Sequence, residues 1–285
     1  MKKILIVCGP TAIGKTALAV KLAKKFAGEL ISADSRQVYQ GMDIVTGKDK
    51  PAGVKLHGLD LVKPDEEFSA AHFVTQTRTL INQIIKRKKL PIIVGGTGLY
   101  INSLINPPAT LSVKPDWQLR KQLEPKTVKE LQNQLKKLGG QRWRQMNHSD
   151  RLNPRRLIRA IEVNKFQQGQ AFPSERTDLK FNTLWIGLRE NKAILDERIA
   201  KRVKTRVKAG AIAEWQQLKA KYRQDLESMT GIGYRQLPDI AAWILSEQQY
   251  AVRQMTYFKK IRQIHWFELD QAGDIAKLVK AWYTK

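Results

Sequence analysis

The chain has 285 residues, enough to bury the core of one large α/β domain or of two smaller ones. Lysine and arginine number 51 against 26 acidic residues. The formal charge of +25 favours a polyanionic partner, most simply nucleic acid, over a basic surface that serves solubility alone. The single cysteine, Cys8, excludes a disulfide framework, and no apolar segment approaches membrane-spanning length. We therefore expect a cytoplasmic protein with no signal peptide and no membrane partner.

A strand over residues 2–8 and a helix over residues 15–26 are predicted on either side of a glycine-rich loop. This phosphate loop matches the pattern G-x-x-x-x-G-K-[ST] in full and consists of Gly9, Pro10, Thr11, Ala12, Ile13, Gly14, Lys15 and Thr16. Its glycines let several backbone N–H groups point at one anion, and the helix N-terminus adds its dipole. Lys15 supplies a point charge and the Thr16 hydroxyl can bind Mg²⁺, so the pattern predicts a phosphate site.

Polar residues also follow the next two predicted strands, at 29–32 and 91–95. The first leads into Asp34 and the second into Thr97, which stands between glycines. A helix is predicted between these strands, from its N-cap Ser69 to about residue 89. Strands that alternate with helices indicate a parallel sheet, whose ligands bind beyond the carboxyl ends of the strands. The phosphate loop, Asp34 and Thr97 should therefore surround one crevice.

The residues at these strand ends suggest different roles. Asp34 is suited to hold Mg²⁺ through water or to act as a general base, or it only shapes a turn by accepting backbone N–H groups. Arg36, Gln37 and Tyr39 are suited to hydrogen bonding to a nucleobase and to stacking on it. The Thr97 hydroxyl can donate a hydrogen bond to a diphosphate oxygen.

Prolines at 107, 108 and 115 introduce a basic helical segment at 116–168. Residues 114–166 carry 14 basic and 5 acidic side chains, which favours a nucleic-acid contact. We predict an α/β fold in which a phosphate-loop parallel sheet flanked by helices, residues 1–114 and 183–285, carries an inserted, mainly helical lobe at 115–182. The later core elements are predicted as a strand at 183–188, a helix at 194–209, a turn at 231–234, a helix at 239–260 with possible breaks and a strand at 265–269.

Two groups of arginines are candidate anion contacts. Arg198, Arg202 and Arg206 recur every four residues and share one helix face, either as a solvated basic face or as a lid over a diphosphate. A second group is placed for phosphate-backbone contacts at the start of a basic helix, and it consists of Arg155, Arg156 and Arg159.

Together these motifs resemble the tRNA dimethylallyltransferases, also called tRNA isopentenyltransferases. The most specific match is Asp-Ser-Arg-Gln-Val-Tyr at 34–39, after a phosphate loop. Further matching segments run nearly from end to end of the chain, at 42–44 with Lys48, 95–100, 153–156, 159–162, 231–235 and 253–256. Two features depart from the family pattern: Tyr257 stands where the family usually has Trp, and the stretch between Gln236 and Tyr250 is shorter by about one helical hairpin.

The resemblance implies transfer of a dimethylallyl group from dimethylallyl diphosphate to N6 of the adenine immediately 3′ of the tRNA anticodon. The phosphate loop would bind the prenyl diphosphate rather than ATP, helped by Thr97 and Arg202 and by Mg²⁺ near Thr16. Asp34 would accept the N6 proton. The extruded base would be held by Asp34, Ser35, Arg36 and Gln37. The helical lobe would grip the anticodon stem-loop through residues that include Arg120, Arg155, Arg156 and Arg159. We expect the enzyme to be a monomer.

On the residues alone, three other functions stay open. A small-molecule kinase would place ATP in the phosphate loop and use Asp34 to activate an acceptor hydroxyl. A prenyltransferase of free adenine nucleotides would not need the basic segment. A non-catalytic RNA-binding protein would keep the basic segment and lack turnover.

Overall fold

The computed structural model describes residues 1–139, 141–169 and 181–284. The chain divides into two compact units, a core unit of residues 1–106 and 179–285 and an insertion unit of residues 107–178. Residues 107–114, predicted in the core, thus belong to the insertion, where Arg159 donates hydrogen bonds to the carbonyls of Thr110 and Val113. Phe181, predicted in the insertion, pairs with Lys2 in the core sheet. The predicted insertion residues 170–180 lie outside the described part of the chain.

The core unit is built on six parallel strands, which confirms the predicted fold class. In chain order they are β1 (Lys2–Cys8), β2 (Gly28–Ala33), β3 (Leu56–His57), β4 (Leu90–Gly95), β5 (Phe181–Leu188) and β6 (Ile264–Phe267). Their order across the sheet is β3-β2-β4-β1-β5-β6. The central strand β1 is completely buried from Ile4 to Cys8, as expected for a parallel strand with both faces covered.

Helices connect the strands and cover the sheet. Before the insertion the core contains α1 (Lys15–Lys25), α2 (Ala70–Lys86) and α3 (Gly98–Ile105). The insertion contains α4 (Trp117–Leu123), α5 (Val128–Lys137), α6 (Gln141–Gln145), α7 (His148–Arg151) and α8 (Pro154–Gly169). The core continues with α9 (Lys192–Lys208), α10 (Ala211–Lys221), α11 (Ile240–Phe258) and α12 (Ala272–Thr284). Short 3₁₀ helices occupy Ala109–Ser112 and Leu269–Gln271.

Local signals set several helix ends as predicted. Ser69 caps α2 by accepting the His72 N–H at 3.3 Å, and His72 Nδ1 accepts the Ser69 N–H at the same distance. Asp239 caps α11 by accepting the Ala242 N–H at 2.9 Å. The breaks expected in α11 are absent, because its buried face runs without interruption from Trp243 to Phe258.

The insertion unit has an apolar core of its own. Leucines from α4, α5 and α8 are buried together with Ile161, so the basic segment is a folded helical bundle. Glu162, only 3% exposed, accepts hydrogen bonds from Arg120 at 2.6 Å and from Arg159 at 3.1 Å. Within the described ranges of both units, no helix is long and apolar enough to cross a bilayer.

Candidate active site

The strand register brings three functional segments to one edge of the sheet. Cys8, the last residue of β1, pairs with Gly95 of β4, and Gly95 in turn pairs with Ala33 of β2. The phosphate loop, Asp34 and Gly96 follow these level strand ends directly. They contribute residues to a cavity of about 290 Å³ in the core unit, as the parallel sheet predicts, whereas Thr97, also predicted at this crevice, does not line it.

The phosphate loop adopts a shape that depends on glycine. Gly9 has φ +142°, and a Cβ there would lie 2.7 Å from the Leu188 carbonyl oxygen. Gly14, with φ +91°, forms the left-handed N-cap of α1. The Lys15 side chain is partly buried at the start of that helix, and its ammonium donates a hydrogen bond to the Pro10 carbonyl at 2.6 Å. Burial, and then the charge of Arg202, lowers the pKa of Lys15 to about 8.

Helix α9 places two of its three evenly spaced arginines in the cavity. Arg202 and Arg206 line it, whereas Arg198 forms an ion pair with Glu190 at 3.1 Å. The Arg202 side chain donates a hydrogen bond to the Thr11 hydroxyl in the phosphate loop. Its Nε is buried and has no hydrogen-bond partner in the described part of the chain. Of the three positions, 202 and 206 are thus compatible with the predicted contact to a diphosphate.

Two buried residues of α11, Glu247 and Gln254, also line the cavity. Neither was predicted as a site residue. Glu247 lies 3.1 Å from Arg202 and 3.3 Å from Arg206. The Gln254 side chain accepts the Thr11 N–H at 2.8 Å and donates to the Gly96 carbonyl at 3.0 Å. It therefore ties the phosphate loop to the end of β4 and fixes the width of the cavity between them.

Asp34 shapes its own turn and also lines the cavity. Its Oδ1 accepts the N–H groups of Arg36 at 2.8 Å and Gln37 at 3.3 Å, which orients the carboxylate. The next residue, Ser35, donates its N–H to the Thr97 hydroxyl at 3.1 Å. Thr97 also bonds the Tyr250 phenol, so it contacts two residues that line the cavity. Both predicted roles of Asp34, turn former and reactive carboxylate, are compatible with this geometry.

The side chains of Arg36 and Gln37 are anchored to neighbouring loops. Arg36 donates to the Glu227 carbonyl at 2.6 Å, and Gln37 donates to the Gly47 carbonyl at 3.0 Å. The Gln37 side-chain oxygen accepts from the Ser32 hydroxyl at 2.9 Å. Arg36 and Gln37 line the cavity together with Gly231, which comes from the predicted turn at 231–234.

The Tyr257 ring is packed against Gly98 at the start of α3. A Cβ on Gly98 would lie 2.3 Å from the tyrosine Cδ1, so this close packing requires glycine. The predicted shortening after Gln236 corresponds to a direct entry into α11 at Ile240. Both departures from the family pattern therefore leave α11 packed beside the cavity.

Hard oxygen ligands for Mg²⁺ are available at the cavity. The Thr16 hydroxyl and the Asp34 carboxylate both line it. No group of three or more His, Cys, Asp or Glu side chains in the described ranges is arranged to hold a metal ion. The two oxygen-bearing side chains, Thr16 and Asp34, are of the kind that Mg²⁺ takes as ligands, since this ion keeps several waters and often binds only one or two protein groups in addition to substrate phosphates.

In the insertion unit the four predicted RNA-contact arginines fall into two pairs. Arg120 and Arg159 are half-buried on Glu162 and hold its carboxylate. Arg155 and Arg156 are exposed at the start of α8, and Arg156 forms an ion pair with Asp150. The exposed pair is available to a partner without unfolding, and all four remain predicted RNA contacts.

The fold and the cavity define a phosphate-loop α/β protein whose site can hold an anion beside a carboxylate. A family model described as IPP transferase matches residues 37–261, and a second, isopentenyl transferase, matches residues 2–66. The chain belongs to the IPP transferase family and is a prenyltransferase.

Relatives cover nearly the whole chain. The tRNA dimethylallyltransferase of Acetivibrio thermocellus is 36% identical over 98% of this chain and 96% of its own length. That of Clostridioides difficile is 37% identical with the same coverage. Among solved structures, the tRNA isopentenylpyrophosphate transferase of Bacillus halodurans has a TM-score of 0.74 at 32% identity, covering 99% of this chain and 97% of that one. A eukaryotic dimethylallyltransferase acting on tRNA has a TM-score of 0.74 at 27% identity, covering 94% and 74%. The family resemblance is thus confirmed, and the kinase and non-catalytic alternatives are set aside.

Proposed function

We propose that the enzyme transfers a dimethylallyl group from dimethylallyl diphosphate to N6 of the adenine immediately 3′ of the tRNA anticodon and releases diphosphate. The observation that carries this proposal is the composition of the cavity. Lys15, Arg202 and Arg206 line it together with the carboxylate of Asp34. A reaction between an anionic leaving group and a nucleophile that loses a proton needs both.

The cations serve the leaving group. A prenyl diphosphate ionises readily, so its transfer depends more on neutralising the departing diphosphate than on a strong nucleophile. The Lys15 ammonium lies at the phosphate loop, and the Arg202 guanidinium lines the cavity beside it. Thr97 is proposed to assist, and its hydroxyl is already held at the end of β4 by Ser35.

Mg²⁺ is the proposed cofactor. Thr16, whose side chain lines the cavity, would hold it together with oxygens of the diphosphate. When bound, the ion supplies neutralisation of the charge that develops on the diphosphate. Lys15, Arg202 and Thr97 would orient the diphosphate in the phosphate loop.

The carboxylate serves the acceptor. Exocyclic N6 is a weak nucleophile, so a base must take its proton as the new C–N bond forms. The backbone bonds to Asp34 Oδ1 orient the carboxylate for this step. Ser35, Arg36 and Gln37 would hold the adenine after it is extruded from the anticodon loop, which costs roughly a few kcal/mol.

We also propose that the insertion unit contacts the tRNA phosphates through Arg155 and Arg156, with Arg120 and Arg159 supporting the surface. A tRNA substrate favours the predicted cytoplasmic location. We also propose that the enzyme acts as a monomer.

Nucleoside mass spectrometry tests the reaction. The purified protein is incubated with dimethylallyl diphosphate, Mg²⁺ and unmodified tRNA, and we expect N6-dimethylallyladenosine only at the position 3′ of the anticodon. Reactions with free AMP and ATP run in parallel. Prenylated free nucleotide with unmodified tRNA would identify the adenine-nucleotide enzyme instead.

A further inference from the structure

Glu247 is a buried carboxylate that lines the cavity together with Arg202 and Arg206. Its negative charge would repel an anionic substrate there. It is 6% exposed, and both of its oxygens are engaged. Oε2 lies 3.1 Å from Arg202 Nη2 and accepts from the Thr11 hydroxyl at 3.4 Å, while Oε1 lies 3.3 Å from Arg206 Nη1. These partners belong to the groups that surround an anion in the phosphate loop, so Glu247 occupies them in the manner of a bound anion.

The charges around the loop explain why an internal anion is needed. Burial, and then the charge of Arg202, lowers the pKa of Lys15 to about 8 and that of Arg206 to about 10, and Glu247 opposes both shifts. Three partly buried cations at one site repel one another and lose part of their solvation, so they are stabilised by a counter-ion. Glu247, together with Asp34, supplies that counter-charge whenever the cavity holds no ligand.

We propose that Glu247 is a positioning residue that acts as an internal counter-ion. It holds Arg202 and Arg206 in the cavity of the empty enzyme, and it lowers the affinity of the site for diphosphate. The inference rests on the proposed function, because it takes diphosphate to be the anion that shares the arginines. Repulsion between the carboxylate and the bound diphosphate favours release of the product after transfer.

The test is calorimetric titration with inorganic pyrophosphate at pH 7 and fixed Mg²⁺. Glu247→Gln keeps the size of the side chain and one acceptor oxygen but removes the charge. We expect it to bind pyrophosphate roughly ten- to hundredfold more tightly than the wild type, since one repulsive charge close to the anion is lost. A role limited to packing predicts the opposite sign, because misplaced arginines bind an anion less well.

A matched control uses a carboxylate that pairs with the third arginine of α9. Glu190 pairs with Arg198 of α9 at 3.1 Å, outside the residues that line the cavity. Glu190→Gln therefore removes an equivalent carboxylate–arginine pair, and we expect it to leave pyrophosphate affinity unchanged. If this control binds pyrophosphate more tightly by the same factor, the effect reflects only the net charge of the protein, and the proposal is wrong.

A second pair of variants keeps the proposal testable if Glu247→Gln alone does not fold. Arg206→Gln combined with Glu247→Gln has the same formal charge in the cavity as the wild type, so fewer buried charges lack partners. We expect the double variant to bind pyrophosphate more tightly than Arg206→Gln alone. Unchanged or weaker binding on loss of the carboxylate, in whichever background folds, contradicts the counter-ion role. Wild-type protein that binds no pyrophosphate would contradict the proposed function instead, so the two failures are distinguishable.

Discussion

At the scale of single residues, substitution of the proposed general base, Asp34, tests the chemistry most directly. Asp34→Asn preserves the side-chain oxygen that accepts the Arg36 and Gln37 N–H groups, so the turn should survive. We expect the single-turnover rate of prenyl transfer to fall roughly 10²–10⁴-fold, as for removal of a general base. Rapid-quench kinetics with saturating substrates measures this. A near-normal rate with intact tRNA binding would remove Asp34 from the chemistry.

The Lys15 ammonium gives the diphosphate site a pH dependence. Because burial and Arg202 lower its pKa to about 8 from 10.5, the free enzyme holds it charged below pH 8 and loses the charge above it. Pyrophosphate titrates as well, so Lys15→Met, which has no charge at any pH, is the reference. We expect the variant to bind pyrophosphate roughly ten- to hundredfold more weakly at pH 7, because a hydrogen bond to a charged group contributes about 1.5–3 kcal/mol.

The wild-type advantage over Lys15→Met should shrink as the pH rises from 7 through 9.5. Calorimetric titrations at several pH values give the ratio of the two dissociation constants, in which the titration of the ligand cancels. The affinity for tRNA should change little in the variant. A ratio that is flat with pH would place the ammonium outside the anion site.

At the scale of secondary-structure elements, an ionic cluster joins β2 to its neighbours. Glu29, 2% exposed, contacts His57 of β3 at 2.7 Å, Arg87 at 2.7 Å and Lys89 at 3.0 Å. Burial acts to raise the pKa of this carboxyl, but the hydrogen bonds from Arg87, His57 and Lys89 outweigh it and lower the pKa from 4.5 to about 2. The ionised carboxylate therefore stabilises the folded state above pH 4.5, by about 3 kcal/mol, and this is lost as the pH falls towards 2.

Urea unfolding of the wild type and of Glu29→Gln between pH 7 and pH 2.5 tests this cluster. We expect the variant to have the lower free energy of unfolding at pH 7 and a shallower loss of stability in acid. If the free energy of unfolding changes with pH in the same way for both proteins, ionisation of the Glu29 carboxylate does not contribute to stability.

The elements differ in how well the sequence predicts them. Strong local patterns, the buried run of β1 and the cap at Ser69, predict their elements within a few residues. The two-residue strand β3 has no pattern of its own and exists because Leu56 pairs with Leu30 of β2. The glycine-rich sequence at the start of helix α3 is typical of a loop. The helix is stabilised by packing against α2 and α11.

The site divides in the same way. The phosphate loop and the residues from Asp34 to Gln37 are contiguous and could be assigned from sequence. Glu247 and Gln254 were not assigned, because their partner Thr11 lies more than 230 positions away in the chain. A buried acid or amide within a helix pattern looks like an ordinary polar position until the fold brings its partners together. The signal that could have pointed to Glu247 is an acidic residue on a mostly apolar helix of a strongly basic chain.

At the scale of the whole molecule, a net charge of +25 on a tRNA-modifying prenyltransferase predicts steep salt dependence. Each lysine or arginine that neutralises a phosphate contributes about 0.7–0.9 to the slope of log affinity against log salt. Arg155→Gln with Arg156→Gln removes the exposed pair of the insertion unit without touching its apolar core. We expect weaker binding of an anticodon stem-loop at low salt and a slope smaller in magnitude by about 1.5.

The control makes the same change of charge elsewhere. Lys277→Gln with Lys280→Gln removes two exposed charges from α12 of the core unit. Fluorescence anisotropy between low and moderate salt should show a nearly wild-type slope for this control, and pyrophosphate binding should be unchanged in both double variants. If both double variants flatten the slope equally, tRNA responds to the overall field of the protein and the insertion is not its specific contact. A flattened slope in the arginine variant alone assigns the phosphate contacts to the start of α8, because only there has the change removed a charge that meets the RNA directly.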